Sequence, residues 1–275
     1  MAITNKLRSQ KMHTYERIAQ VLAAEIDDGT WQPGELLPRI PELEKRFNAS
    51  RITVRQGIEQ LANRGYVYTG YTQGRRGTIV RQRGRTDIYA NMAIRADRRA
   101  SGEDAFTEIA HRAGRNPKKV FERRVEIPPA DIAARLGGDP TQPVIVREIR
   151  QMLNDEPWSI ETSYYPRDLA EEVGLDVEHD LPQGTIRALK TAGHEEIAHL
   201  DEVFDDTADA DEAQVLAIPV GSPLIVQIRT AATKKRITRV TKYLRLGQRN
   251  RLLWEQGDRS ALDIIESTRK DTKEL

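Results

Sequence analysis

The stretch from Tyr15 to Val80 constrains the fold most, because three apolar periods there are separated by firm punctuation. Tyr15, Ile18, Ala19, Leu22 and Ile26 fall on one helical face, and Gly29 closes that helix. Pro33-Gly34 makes a turn and Pro38 a stop, after which Leu43 and Phe47 share one side of a short second helix. Past the turn Asn48-Ala49-Ser50, a third helix is expected over Arg51–Arg64, with Ser50 as N-cap and Gly65 as terminator. Ile52, Val54, Ile58 and Leu61 form its expected buried stripe. Two short helices joined by a three-residue turn make a helix-turn-helix, whose second helix enters the major groove N-terminus first. Downstream, Tyr66-Val67-Tyr68 and Thr78-Ile79-Val80 read as strands around a tip at Gly74-Arg75-Arg76-Gly77, giving a winged helix.

The polar residues suit that geometry. Arg51, Thr53 and Arg55 occupy the start of the third helix, where arginine reaches guanine edges and hydroxyls or backbone N–H groups hold phosphate. Arg75 and Arg76 are expected to reach phosphate or the minor groove; an ordinary exposed hairpin tip is the alternative. Charge is segregated in the same sense. Residues 1–86 carry 15 Lys and Arg against 8 Asp and Glu, whereas the remainder carries 28 against 34. A basic segment with an acidic remainder argues for a nucleic-acid surface; a solvated basic helix is the alternative, and charge alone does not decide between them.

At 275 residues the chain has room for two domains, and 38% hydrophobic residues suffice to bury a core. It has no apolar run of membrane-spanning length, no secretory signal pattern and no cysteine. The expectation is a cytoplasmic protein without disulfides or thiolate metal sites. No nucleophile elbow, P-loop or dinucleotide fingerprint is present, so neither enzyme chemistry nor a cofactor is expected. His194 and His199 lack a tight metal spacing and read as a solvated loop, and the acidic run Asp201–Glu212 lacks the calcium-loop glycine.

The C-terminal part contains a repeat. Shifted by 80 residues, Asp131, Ala133, Leu136, Pro143, Ile145 and Val146 match Asp211, Ala213, Leu216, Pro223, Ile225 and Val226. Each copy reads as a short helix, a loop and a β-branched strand, with Trp158–Tyr165 and Val240–Leu246 as second strands. Between the copies, Thr185–Ala192 reads as a helix. The expected organisation is a winged helix over 1–83, a linker over 84–102, an α+β domain with one antiparallel sheet over 103–254, and a tail over 255–275. Alternation puts Arg147 on the face of Ile145 and Ile149, where a lone charge is costly. Glu161 is its plausible mate, either as a buried ion pair or as the other half of a polar pocket.

The N-terminal pattern resembles the GntR family of bacterial transcription regulators. Pro33-Gly34, Leu37-Pro38, Glu42-Leu43, Phe47, Ser50-Arg51, Thr53-Val54-Arg55, Leu61, Gly65 and Gly74 through Thr78 carry the resemblance. The family's basic contact in the second helix falls at Pro41 here, and Arg39 is the expected replacement. The C-terminal pattern resembles the UTRA effector-binding domain, with a chorismate-lyase-like fold, that marks the HutC subfamily. Arg147, Arg150, Glu156-Pro157, Ile160 through Pro166, Gly221, Pro223-Leu224 and Arg249-Asn250-Arg251 carry it. The resemblance implies a small, possibly anionic effector held between the repeats and a homodimer on a palindromic operator. The implied effector residues are Arg147, Arg150, Glu161, Tyr164, Thr185, Arg187, Tyr243 and Arg249; Ser50, Gly74 and Gly77 join the arginines on the DNA side. A repressor is expected. An effector-independent regulator of mobile-element transfer or copy control with a vestigial pocket is the alternative, and a lyase-like enzyme a minor one.

Overall fold

The computed structural model describes residues 12–72, 74–81, 85–90, 104–181 and 183–271. The N-terminal half contains α1 (Thr14–Asp27), α2 (Ile40–Phe47), α3 (Arg51–Asn63), β1 (Val67–Thr72) and β2 (Arg75–Val80). Ile18, Leu22, Leu43, Val54, Leu61, Val67 and Val80 interlock as one apolar core. The expected stripe on α3 needs a correction. Val54 and Leu61 are buried, but Ile52 is 72% exposed. Two positions before Val54 on a 3.6-residue helix, it points about 200° away from the core-facing residue. The hairpin also differs from the expected one. Thr72 pairs with Arg75 and Gly70 with Gly77, so Arg75 and Arg76 already belong to β2 rather than to the tip. In mid-strand, a Cβ at Gly77 would meet the end of the Leu36 side chain, which would have to shift.

The C-terminal half is built on β4 (Pro117–Glu126), α5 (Ala130–Leu136), β5 (Val144–Leu153), β6 (Glu156–Tyr165), α6 (Arg167–Val173), α7 (Thr185–Thr191), β7 (Ala198–Thr207), α8 (Ala210–Leu216), β8 (Pro223–Ala232) and β9 (Ile237–Leu246). The six strands form one antiparallel sheet ordered β4-β5-β6-β9-β8-β7. Each repeat is thus strand, helix and hairpin, and the copies meet at β6 and β9 in mirrored order. The expected helix after Gly184 is α7, with Ala192 as its C-cap. The first strands, β4 and β7, were hidden in the sequence. His199 lies on β7 rather than in a loop, and Asp209 caps α8. Among the described residues no group of metal-binding side chains is assembled.

The segments expected to be a linker and a tail contain elements. Within 84–102, Thr86–Tyr89 form β3, which pairs in parallel with β10 (Asn250–Leu253); residues 91–102 lie outside the described ones. Within 255–275, Arg259–Asp271 form α9, and Arg269 reaches Asp87 of β3 at 2.9 Å. A further helix, α4 (Ala105–Arg112), precedes β4.

The sheet has two unlike faces. On one, Val146, Ile160, Tyr164, Val226, Val240 and Leu244 pack against Ile132 of α5 and Ala213 and Leu216 of α8. The opposite face carries Arg147, Ser163, Gln227, Arg229, Arg239, Thr241 and Arg245, all buried. Seven polar side chains on a covered face need partners or a ligand.

Candidate functional site

The N-terminal site is a convex basic surface. Ser50 caps α3 by accepting from Thr53 N–H at 3.3 Å, and its hydroxyl meets that of Thr53 at 2.9 Å. This cap fixes the first turn, from which Arg51 and Arg55 project exposed. Arg39 caps α2 through its backbone, donating its N–H to Glu42 Oε2 at 2.7 Å, and leaves its guanidinium outside. Gly74 turns the wing with φ 74°, and Arg75 and Arg76 follow it, exposed. Among the described residues no carboxylate pairs with Arg39, Arg51, Arg55, Arg75 or Arg76. Arg46, by contrast, is paired with Glu25 and belongs to the fold. Exposed Ile52 and Gln56 share the outer face of α3 with the arginines. The sequence reading missed them, because an isoleucine beside Val54 was assigned to the core. An apolar side chain there suits a thymine methyl.

The second site is a cavity of about 370 Å³ over the polar face of the sheet. Glu161, Thr185, Arg187 and Tyr243 line it, as expected from the sequence. Four other expected residues do not, and the reasons are geometric. Arg150 and Tyr164 are even-numbered positions on β5 and β6, so alternation turns them to the helix-covered face; Arg150 pairs with Glu148 at 3.1 Å and Glu122 at 3.3 Å. Arg147 is on the polar face but is consumed there. It donates to the carbonyls of Leu175 at 2.9 Å and His179 at 3.1 Å and stacks on Phe121, so the expected pair with Glu161 is not formed. Arg249 lies in the turn between β9 and β10, 2.8 Å from Glu156.

Other residues take their places. Arg229, Arg239, Arg245, Gln227, Lys119 and Trp158 line the cavity together with Tyr89, the end of β3, and Ala90 just after it. Most of these charges are balanced inside the protein. Arg239 is bidentate to Glu196 at 2.9 and 3.1 Å, and Arg229 to Asp201 at 2.7 Å through both nitrogens. Lys119 pairs with Asp104 and Asp180. Among the described residues three others form no ion pair. Arg245 donates only to Gln227 Oε1 at 2.9 Å and stacks on Tyr243. Glu161 accepts only from the Gln151 amide at 3.1 Å. Arg187 stands exposed at the cavity edge. Burial pushes the Arg245 guanidinium down to about 10 and pushes the Glu161 carboxyl up. The signal for these residues was present: Arg239, Thr241, Tyr243 and Arg245 alternate along β9, but such a face ordinarily meets water.

Known proteins carry both halves. The family description "Bacterial regulatory proteins, gntR family" matches residues 14–80, and "UTRA domain" matches residues 112–249. The HTH-type transcriptional repressor NagR of Bacillus subtilis is 28% identical over 219 residues, covering 78% of this chain and 83% of NagR. The histidine utilization repressor of Pseudomonas putida is 26% identical over 243 residues, covering 86% of this chain and 90% of that protein. The crystal structure of PhnF from Mycobacterium smegmatis superposes with a TM-score of 0.53 at 19% identity, over 88% of this chain and 100% of PhnF, and supports the fold. The chain belongs to the gntR family of bacterial regulatory proteins, as a member with a UTRA domain. It is a DNA-binding transcription regulator and not an enzyme. Among the described residues no helix is long and apolar enough to cross a membrane.

Proposed function

We propose that the chain is a repressor that binds a palindromic operator as a homodimer and is released by a small anion that also carries a hydroxyl or ammonium donor. One winged helix reads only a half-site, so two-fold symmetry is the economical solution. Arg51 and Arg55 read bases, Arg39, Arg75 and Arg76 hold phosphates, and Ser50, Gly74 and Gly77 shape the backbone that presents them.

The observation that carries the ligand reading is the charge left over in the cavity. Among the described residues Arg245 and Arg187 form no ion pair with a carboxylate and Glu161 none with a cation; the attraction of Glu161 to Arg239, Arg245 and Lys119 acts only beyond ion-pair distance, while the surrounding charged pairs are closed. A buried unpaired charge is expensive, and a ligand with the complementary groups removes that cost. The anion meets Arg245, with Arg187 at the mouth; the donor meets Glu161; Thr185 and Tyr243 add hydroxyls. A vestigial pocket has no reason to keep these charges. Because Tyr89 and Ala90 form part of the wall, the ligand also touches the segment that leaves the winged helix.

The test is to recover genomic DNA fragments bound by the protein, then repeat the binding with a panel of phosphorylated sugars, hydroxy acids and amino acids. At least one such anion should weaken binding by the parent and have no effect on Arg245→Ala. If no panel member altered binding, or if the variant responded as the parent does, the effector role of this cavity would be lost.

A further inference from the structure

Where the winged helix meets the sheet, an arginine from each half shares one buried carboxylate. Glu156 opens β6 directly after the two-residue turn Asn154-Asp155, whose φ values of 53° and 61° fold the hairpin tightly. Its Oε1 lies 2.8 Å from Arg249 Nη2 and 3.3 Å from Arg81 Nε, and none of the three side chains is more than 7% exposed.

Each arginine is fixed by further contacts. Arg81 directly follows the second wing strand; it donates to the Ala217 carbonyl at 2.8 Å and stacks over Tyr68 of the first. Arg249 donates to the Pro157 carbonyl at 2.7 Å and lies over Trp158, whose ring is cavity wall. Beside them, the end of the Gln248 side chain lies against Gly65, just past the recognition helix, where a φ of 73° favours glycine. Sequence reading had placed Arg249 among the effector residues; the structure gives it to this junction.

We infer that Glu156 is a positioning residue, the joint that holds the winged helix in one orientation on the effector half and connects it to the cavity wall. The contacts at Glu156 Oε1 are charge pairs without hydrogen-bond geometry, and a carboxylate between two buried guanidiniums is charge-balanced in a single docking arrangement, since any slip strands a charge away from water. Apolar contact alone would tolerate sliding. The route from ligand to DNA is then short: Trp158 bears on Arg249, Arg249 on Glu156, and Glu156 on Arg81 at the base of the wing. That route rests on the cavity being the ligand site, whereas the joint itself needs neither ligand nor DNA.

The experiment exploits the absence of cysteine from the chain. Spin labels at Glu59→Cys on α3 and Thr207→Cys on β7, both exposed positions, report the distance between the two halves. Labelled full-length chain is diluted into unlabelled chain, so that only intrachain pairs are read. The parent should give one narrow distance. Glu156→Gln and Arg81→Met should each give a broad distribution at temperatures where thermal melting shows both halves folded. Should Glu156→Gln fail to fold, Arg81→Met decides alone, because it leaves Glu156 paired with Arg249. A distribution in Arg81→Met as narrow as the parent's overturns the inference. Binding to the DNA that the parent selects from a random pool is the separate readout. A broadened distance with unchanged affinity would leave the joint standing and count against the dimeric operator reading instead.

Discussion

The two halves place their recognition groups in opposite settings. On the winged helix, Arg51, Arg55, Arg75 and Arg76 stand in water over an entirely apolar core, so each costs the fold little. In the sheet, Arg229, Arg239 and Arg245 are buried, and each must be matched by a carboxylate, an amide or a ligand. The difference teaches where substitutions will register. A change on the DNA side should cost affinity and leave stability alone, while a change on the polar sheet face should be felt first by the fold.

The largest expected effect therefore lies in the sheet. Arg239→Met leaves Glu196 buried without its bidentate partner and should cost about 3–5 kcal/mol of stability. Thermal or urea unfolding measures it; a loss below about 1 kcal/mol would show that the polar face relaxes as a surface does. Next comes Arg55→Ala, which should weaken operator binding by about 1–3 kcal/mol if the side chain contacts a base. The melting temperature should stay put. A variant that binds normally but melts early would invert the comparison.

The smallest effect is a pH dependence. Burial raises the Glu161 carboxyl, so the folded chain holds its proton more tightly than the unfolded chain does. The contribution to stability is full below the ordinary value of 4.5 and is lost as pH rises from there through the raised folded value. Its slope is at most about 1.4 kcal/mol per pH unit, the limit for one proton. Comparing parent with Glu161→Gln across that range without ligand isolates it, and identical curves would place Glu161 in contact with water.

How legible the molecule was in sequence follows the same division. The apolar spacings of α1 and α3, Ser50 and the paired glycines marked the DNA-binding half, because an exposed recognition surface leaves the amphipathic rule intact. Ile52 shows the limit, since an apolar residue serving a surface is invisible to that rule. In the sheet the repeat of 80 residues disclosed both hairpins; Glu161 was found as the mate proposed for Arg147, and Tyr243 through the family resemblance. Alternation did not mark Arg239 or Arg245, because charges on alternate strand positions ordinarily mean solvent. Covering segments, among them α4, α6, α7 and the end of β3, turn that face inward. The strand β7 was masked by its own acids, which edge strands tolerate.

The parallel pairing of β3 with β10 also sets an order of assembly. Asp87 of β3 and its partner Arg251 are 164 positions apart. During synthesis the winged helix has every residue of its core by Val80 and needs nothing later to close. The segment that leaves it must wait for nearly the whole remaining chain before β10 emerges. The reading head therefore matures early and the clasp on its exit strand last, so a chain cut short before Asn250 keeps the core of the winged helix and lacks the strand that anchors it.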